Sequence, residues 1–344
     1  MSRNRVMLPA EWEPQSGIQL TWPHAATDWA YMLDEVERCF VNIAREVAAR
    51  QLLLIVTPEP ERVRSRIEAE VNMANVRWAI CPTNDTWARD HGGITVMEEG
   101  KAVVCDFAFN GWGLKFPACH DNLITSRCYE AGVFHAGYRN RLNFVIEGGS
   151  IESDGRGTLL TTSECLLSLN RNGEWSREQI ESYLKDEFGL QRILWLDSGY
   201  LAGDDTDSHI DTLARLAPDD TILYVRCTDE ADEHYTALQA MEKQLYAFRT
   251  AAGVPYRLLP LPMAQAAYDD SGERLPATYA NFLVLNGAVL YPTYGVPQID
   301  TEAAAVIASA FDGYEVVGVD CRALIRQHGS LHCVTMQYPA GVLQ

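Results

Sequence analysis

The chain has 344 residues, 47% of them hydrophobic, and a formal net charge of −19 with a pI near 4.8. That length and apolar content suffice for a large core. The acidic balance excludes nucleic acid and anionic membrane as partners, and it favours a cationic small molecule at the mouth of a cleft.

Residues 17–22 read as a strand, 32–50 as a helix with Leu33, Val36, Phe40, Ile43 and Val47 on one face, and 51–57 as a buried strand. A hairpin over 93–96 and 101–107 turns at Glu98-Glu99-Gly100. Another over 144–153 and 158–162 turns at Asp154-Gly155-Arg156-Gly157. A helix over 176–188 and strands over 192–196 and 221–227 follow. Next comes a long helix over 229–251, with Tyr235, Leu238, Met241, Leu245 and Phe248 inward, and a strand over 256–261. Residues 281–285 and 288–292 form a tight hairpin at Asn286-Gly287. A helix over 301–311 and strands over 314–319 and 331–337 complete the chain, with loops at 110–122 and 265–276. No linker or low-complexity segment interrupts this order, so a single domain over 1–344 is expected. A unit of hairpin, helix and strand recurs, which suits a propeller-like repeat or an ordinary α/β sheet.

Residues 1–12 contain Arg3 and Arg5 but no apolar leader run, and no stretch is long enough to span a bilayer, so a cytoplasmic protein is expected. The nine cysteines are odd in number and form no C-x-x-C pair, which argues for free, mostly buried thiols. Cys119-His120 and His332-Cys333 lack zinc-ligand spacing, and no metal or organic cofactor is expected.

Four clusters are rich enough in functional groups to carry chemistry. In Gly203-Asp204-Asp205-Thr206-Asp207-Ser208-His209-Ile210-Asp211, a strand over 208–213 would project His209 and Asp211 from one face, an acid/base group beside an anionic anchor. Asp204, Asp205 and Asp207 read better as a solvated acidic loop. In Asn84-Asp85-Thr86-Trp87-Ala88-Arg89-Asp90, the Trp87 ring and the Asp90 carboxylate suit a planar guanidinium, although Asp90 paired with Arg89 and Asp85 capping a turn are plainer alternatives. In Glu147-Gly148-Gly149-Ser150 a buried carboxylate needs a partner, and a histidine is a natural one. In Leu331-His332-Cys333 a cysteine in an apolar strand is by default a core residue.

Together these motifs, with Pro9-Ala10-Glu11-Trp12-Glu13-Pro14, Thr21-Trp22-Pro23 and Phe109-Asn110-Gly111-Trp112-Gly113, resemble the agmatine deiminase and bacterial-type peptidylarginine deiminase family of the guanidine-modifying (pentein) superfamily. The resemblance runs nearly end to end. It implies a five-bladed α/β propeller of pseudo-symmetric ββαβ units. It also implies Cys333 as nucleophile, His209 as general acid/base and Glu147 as the carboxylate pairing with that histidine. Asp90 and Asp211 would grip the guanidinium, with Trp87 and Trp112 beside it in the substrate pocket. The expected reaction is hydrolysis of agmatine to N-carbamoylputrescine and ammonia through a covalent amidino-cysteine, on the route to putrescine. Homo-oligomerisation is left open.

The chain departs from the family pattern at Gln327-His328-Gly329-Ser330-Leu331, where a triple glycine is usual, at Thr212 after Asp211, and at His91-Gly92-Gly93. Alternative readings are a deiminase of free arginine, peptidylarginine or another guanidine, with Arg89 or Arg171 as a candidate clamp for an α-carboxylate. A non-catalytic pentein-fold binding protein is a second alternative. A papain-like protease fits poorly, because its nucleophile precedes its histidine.

Overall fold

In the computed structural model, which describes residues 6–344, the first and last strands of one sheet come from opposite ends of the chain. Residues 1–5, which hold Arg3 and Arg5, lie outside the described residues. Among the described residues the fold is mixed α/β, and one local plan recurs five times: an antiparallel strand pair, a helical crossover, and a third strand parallel to the second. The first unit comprises Ile94–Glu98, Lys101–Ala108, the helix Ile124–Glu130 and Gly137–Val145. The second comprises Ile151–Ser153, Thr158–Thr162, the helix Arg177–Phe188 and Arg192–Leu196. The third comprises Ala214–Ala217, Thr221–Arg226, the helix Tyr235–Ala247 and Arg257–Pro262. The fourth comprises Leu283–Leu285, Ala288–Thr293, the helix Pro297–Ala310 and Glu315–Asp320. The fifth joins the chain ends: Thr335–Pro339 pairs with Gln15–Thr21, the helix Leu33–Ala48 crosses over, and Leu52–Thr57 and Val76–Ile80 complete the sheet.

Local chemistry accounts for these elements. The Glu99-Gly100 turn takes left-handed values at both residues, φ 51° and 80°, the twist that a tight hairpin requires. Ser176 and Gln179 form a reciprocal capping box at the start of Arg177–Phe188, and Gly189 ends that helix in the left-handed conformation. In Leu52–Thr57, Leu53 and Ile55 enter one apolar cluster while Leu54 and Val56 enter another, so both faces of the strand are buried. This explains its unbroken hydrophobic run.

Several sequence expectations are corrected. Residues 208–213 do not form a strand: His209 caps a one-turn helix, Ile210–Leu213, and the strand begins at Ala214. Residues 331–334 form a turn, with the last strand starting at Thr335, so Cys333 is not a strand residue. The hairpin read as starting at 144 starts at Ile151, because Glu147 leads into a short 3-10 turn at Gly148–Ser150. The helix read over 229–251 covers only Tyr235–Ala247, because Asp229 and Asp232 accept hydrogen bonds from Ala231 and His234 in tight turns before it. The loop read over 265–276 contains a two-stranded ribbon, Ala267–Tyr268 with Arg274–Leu275. Cys119 is exposed and the other eight cysteines are buried, all nine as free thiols. Among the described residues no helix is long and apolar enough to cross a membrane.

The segment leading into the first strand of each pair is where the functional groups gather. Asp90 precedes Ile94–Glu98, Glu147 precedes Ile151–Ser153, and His209 and Asp211 precede Ala214–Ala217. Asn281 precedes Leu283–Leu285 and Cys333 precedes Thr335–Pro339. Each unit contributes from the same position in its plan.

Candidate active site

Gly149 marks the point where three of these segments meet. A methyl group added there would lie 2.6 Å from His209 Nδ1, 2.8 Å from Asp90 Oδ1 and 3.2 Å from Asp211 Oδ2. The glycine is what allows a backbone to pass so close to three polar side chains. Its own N–H donates to Asp90 Oδ1 at 3.0 Å, and Trp112 Nε1 donates to Asp90 Oδ2 at 2.9 Å. Trp112 is held in this place by an unusual backbone, with φ at 55°.

Among the described residues no arginine or lysine pairs with Asp90. The alternative in which it pairs with Arg89 does not hold, because Arg89 turns away to the His332 carbonyl and the Gln337 side chain. The His209 ring lies between acids, with Nδ1 3.6 Å from Asp90 Oδ1 and Nε2 3.9 Å from Glu147 Oε2. Asp211 Oδ2 lies 2.7 Å from His332 Nδ1, whereas its Oδ1 is buried without a partner, as is His209 Nε2. Buried polar atoms are rarely left so unless a ligand or water completes them.

Charge states follow from this packing. Burial, reinforced by the negative charges of Asp211 and Glu147, raises the Asp90 carboxyl well above its usual range. Burial also raises Asp211, but the hydrogen bond and charge of His332 outweigh it and hold that carboxyl below its usual value. Burial takes His209 down to about 3 against the pull of Asp211. Burial, then the charges of Asp211 and Asp90, raise the Cys333 thiol well above the ordinary range. A cation placed among these groups would reverse the trend for Asp90 and Cys333 together.

Cys333 reaches the floor of a cleft of about 720 Å³ that is also lined by Asp28, Asp85, Trp87, Asp90, Trp112 and Phe116. Asp204, Asp205, Thr206, Thr212 and the stretch Gln327, His328 and Gly329 complete its wall. Among the described residues neither arginine nor lysine lines it. The structure therefore brings Trp87, Asp90, Trp112 and Cys333 to one cleft, and packs His209, Asp211 and Glu147 against Asp90 at its base.

Besides facing His209, Glu147 has a partner that the sequence reading did not name. Arg171 Nε lies 2.9 Å from both Glu147 oxygens, and neither side chain is exposed. Burial still dominates, so the Glu147 carboxyl is raised despite Arg171. The acidic loop is likewise not simply solvated. Asp204 accepts from Thr206 and Ser208 within the loop, and Asp207 binds both Arg171 and Lys115 at 2.6 Å. Asp85 accepts from the Trp29 indole and the Thr86 N–H, in keeping with a turn-capping role.

Sequence reasoning missed Arg171 as the Glu147 anchor, Cys165 beside it and Asn281. Glu147, Cys165 and His209 each place a donor atom within 4.8 Å of the others, but both Glu147 oxygens are already held by Arg171. The Asn281 side-chain oxygen accepts from His332 N at 2.9 Å and lies 3.4 Å from Cys333 Sγ, which fixes the turn at Cys333. Superposing the five lead-in segments would have singled out Asn281 as the fourth unit's polar residue.

The chain is similar to known proteins over nearly its whole length. A Porphyromonas gingivalis structure, described provisionally as an arginine deiminase, is 54% identical with a TM-score of 0.94, covering 98% of this chain and 100% of that one. A cysteine-to-serine variant of C. jejuni agmatine deiminase with substrate bound is 36% identical with a TM-score of 0.92, covering 100% and 99%. Agmatine deiminase of Pseudomonas aeruginosa (strain LESB58) is 32% identical, covering 97% of this chain and 95% of that protein. The model of the Porphyromonas-type peptidyl-arginine deiminases matches residues 7–339, and the chain belongs to that family.

Proposed function

We propose that this protein hydrolyses the guanidine of agmatine to N-carbamoylputrescine and ammonia. The observation that carries this reading is a pair of buried carboxylates beside a cysteine in an acidic cleft: Asp90, which faces no arginine or lysine among the described residues, and Asp211, whose Oδ1 has no partner among them. Paired carboxylates match the planar donors of a guanidinium.

The steps follow from the residues. Asp90 and Asp211 bind the guanidinium and hold its central carbon for attack. The cation lowers the thiol pKa, Cys333 Sγ passes its proton to His209, and the thiolate adds to that carbon. His209 protonates the departing nitrogen and ammonia leaves, with sulfur now bonded to an amidino carbon. His209 then takes a proton from water, the hydroxide adds to the same carbon, and collapse breaks the C–S bond. The ureido product is released and the thiol regenerated. Glu147, anchored by Arg171, orients the imidazole.

The tail favours agmatine over free arginine. An α-carboxylate needs a cationic clamp, and Arg89 and Arg171 are both absent from the cleft lining. Asp28, Asp85, Asp204 and Asp205 suit an ammonium group instead. We read the five units as blades of a propeller in one domain, a cytoplasmic enzyme acting on a small cation. The shared position of their lead-in segments supports that arrangement, since equivalent ends converge when units are arrayed about an axis.

The test is ammonia release from a panel of agmatine, arginine, a peptidylarginine and simple alkylguanidines. Turnover of agmatine with a kcat/KM above the others is expected. Activity confined to arginine or peptidylarginine would overturn the substrate, and no activity on any guanidine would overturn the reaction.

A further inference from the structure

The residue next to the proposed nucleophile has no part in the steps above, yet it is one of the most constrained side chains in the molecule. His332 is 1% exposed. Its Nδ1 lies 2.7 Å from Asp211 Oδ2 and its Nε2 lies 2.8 Å from Glu11 Oε2. With hydrogen on Nδ1 the ring donates to Asp211 Oδ2, while Nε2 faces both Glu11 Oε2 and Arg215 Nη2.

Glu11 is itself fixed from three sides. Arg215 Nη2 donates to Glu11 Oε2 at 2.6 Å, the Val284 N–H donates to Oε1 at 2.7 Å, and the imidazole approaches as above. Arg215 also pairs with Glu152 and donates to the Phe282 and Ala280 carbonyls. The contact of 3.1 Å between Arg215 Nη2 and His332 Nε2 follows from their sharing the same Glu11 oxygen. A rigid chain thus runs from the amino-terminal Pro9-Ala10-Glu11-Trp12 segment to the carboxylate at the base of the cleft.

We infer that His332 is a positioning residue: with Glu11 and Arg215 behind it, it holds Asp211 Oδ2 so that Oδ1 alone is presented to the substrate guanidinium. Asp211 Oδ1 is the oxygen that is buried and unpartnered, which is the pattern this division of labour requires. Without His332, Asp211 would be free to rotate or to take a proton, and its grip on the cation would fail. The geometry of attack depends on that grip, so the effect reaches the substrate without His332 touching it.

This inference rests on the guanidine-deiminase reading. The experiment compares steady-state kinetics of wild type, His332→Leu, His332→Gln and Glu11→Gln on agmatine, with thermal melts in parallel. His332→Leu should raise KM about tenfold or more, since a hydrogen bond to a charged group is lost. His332→Gln, which keeps one donor toward Asp211, should recover part of that loss, and Glu11→Gln should raise KM several-fold. A merely structural role would lower the melting temperature and the fraction of active protein, so that kcat falls with KM unchanged. An unchanged KM in Glu11→Gln and in whichever His332 variants fold would overturn the inference. Wild-type protein inactive on every guanidine would instead sink the reading on which it rests.

Discussion

Arg171 sets a single nitrogen 2.9 Å from both oxygens of Glu147, with neither side chain exposed, and this pair stands behind the His209 ring. Removing the cation would strand a buried carboxylate. Arg171→Met should therefore cost about 3–5 kcal/mol in urea unfolding. Adding Glu147→Leu to that variant should restore much of the loss, because an apolar pair can replace a buried ion pair. A midpoint unchanged by Arg171→Met would contradict the assignment.

Gly149 is where the backbone passes close to His209, Asp90 and Asp211. Its φ lies outside the left-handed region, so alanine is allowed by the backbone and excluded only by its neighbours. Gly149→Ala should push His209 and Asp90 apart and lower kcat/KM by about 100-fold or more, while circular dichroism stays native. Near-wild-type kinetics would mean that these side chains are not held in a reactive arrangement.

His209 gives the protein an acid-labile element. Its folded value of about 3 lies below the ordinary 6.5, so the folded state binds fewer protons between those limits. Stability from this group is present above pH 6.5 and is lost as pH falls toward 3. Between pH 6.5 and 5 the loss should be about 2 kcal/mol. Asp90, raised above its ordinary 3.8, acts in the opposite direction as pH rises. The comparison of wild type with His209→Asn isolates the imidazole: the variant should lose less stability over this window in chemical denaturation. Parallel curves would contradict burial of a neutral His209.

Much of this was legible in the chain. The hydrophobic periodicity of Leu33–Ala48 and the capping pattern at Ser176 located helices, because both signals are local. The motifs singled out Trp87, Asp90, Trp112 and Cys333, which the structure brings to one cleft. What misled was geometry that tertiary packing decides. A period of two suggested a strand through His209 and Asp211, whereas a one-turn helix before Ala214 brings both to the site. Apolar neighbours suggested a strand at Cys333, whereas Asn281, fifty-two residues earlier, holds it in a turn. Partners such as Arg171 for Glu147 and Glu11 for His332 lie too far apart in sequence for any local pattern to pair them.

In the proposed reaction the sulfur of Cys333 bonds to the guanidine carbon during turnover. Acid-quenched mixtures of enzyme and agmatine, digested and read by mass spectrometry, test this directly. An amidino adduct on the peptide containing Cys333 is expected, present during steady state and absent once substrate is exhausted. Agmatine turnover with no adduct at any time, or undiminished turnover by Cys333→Ser, would contradict it.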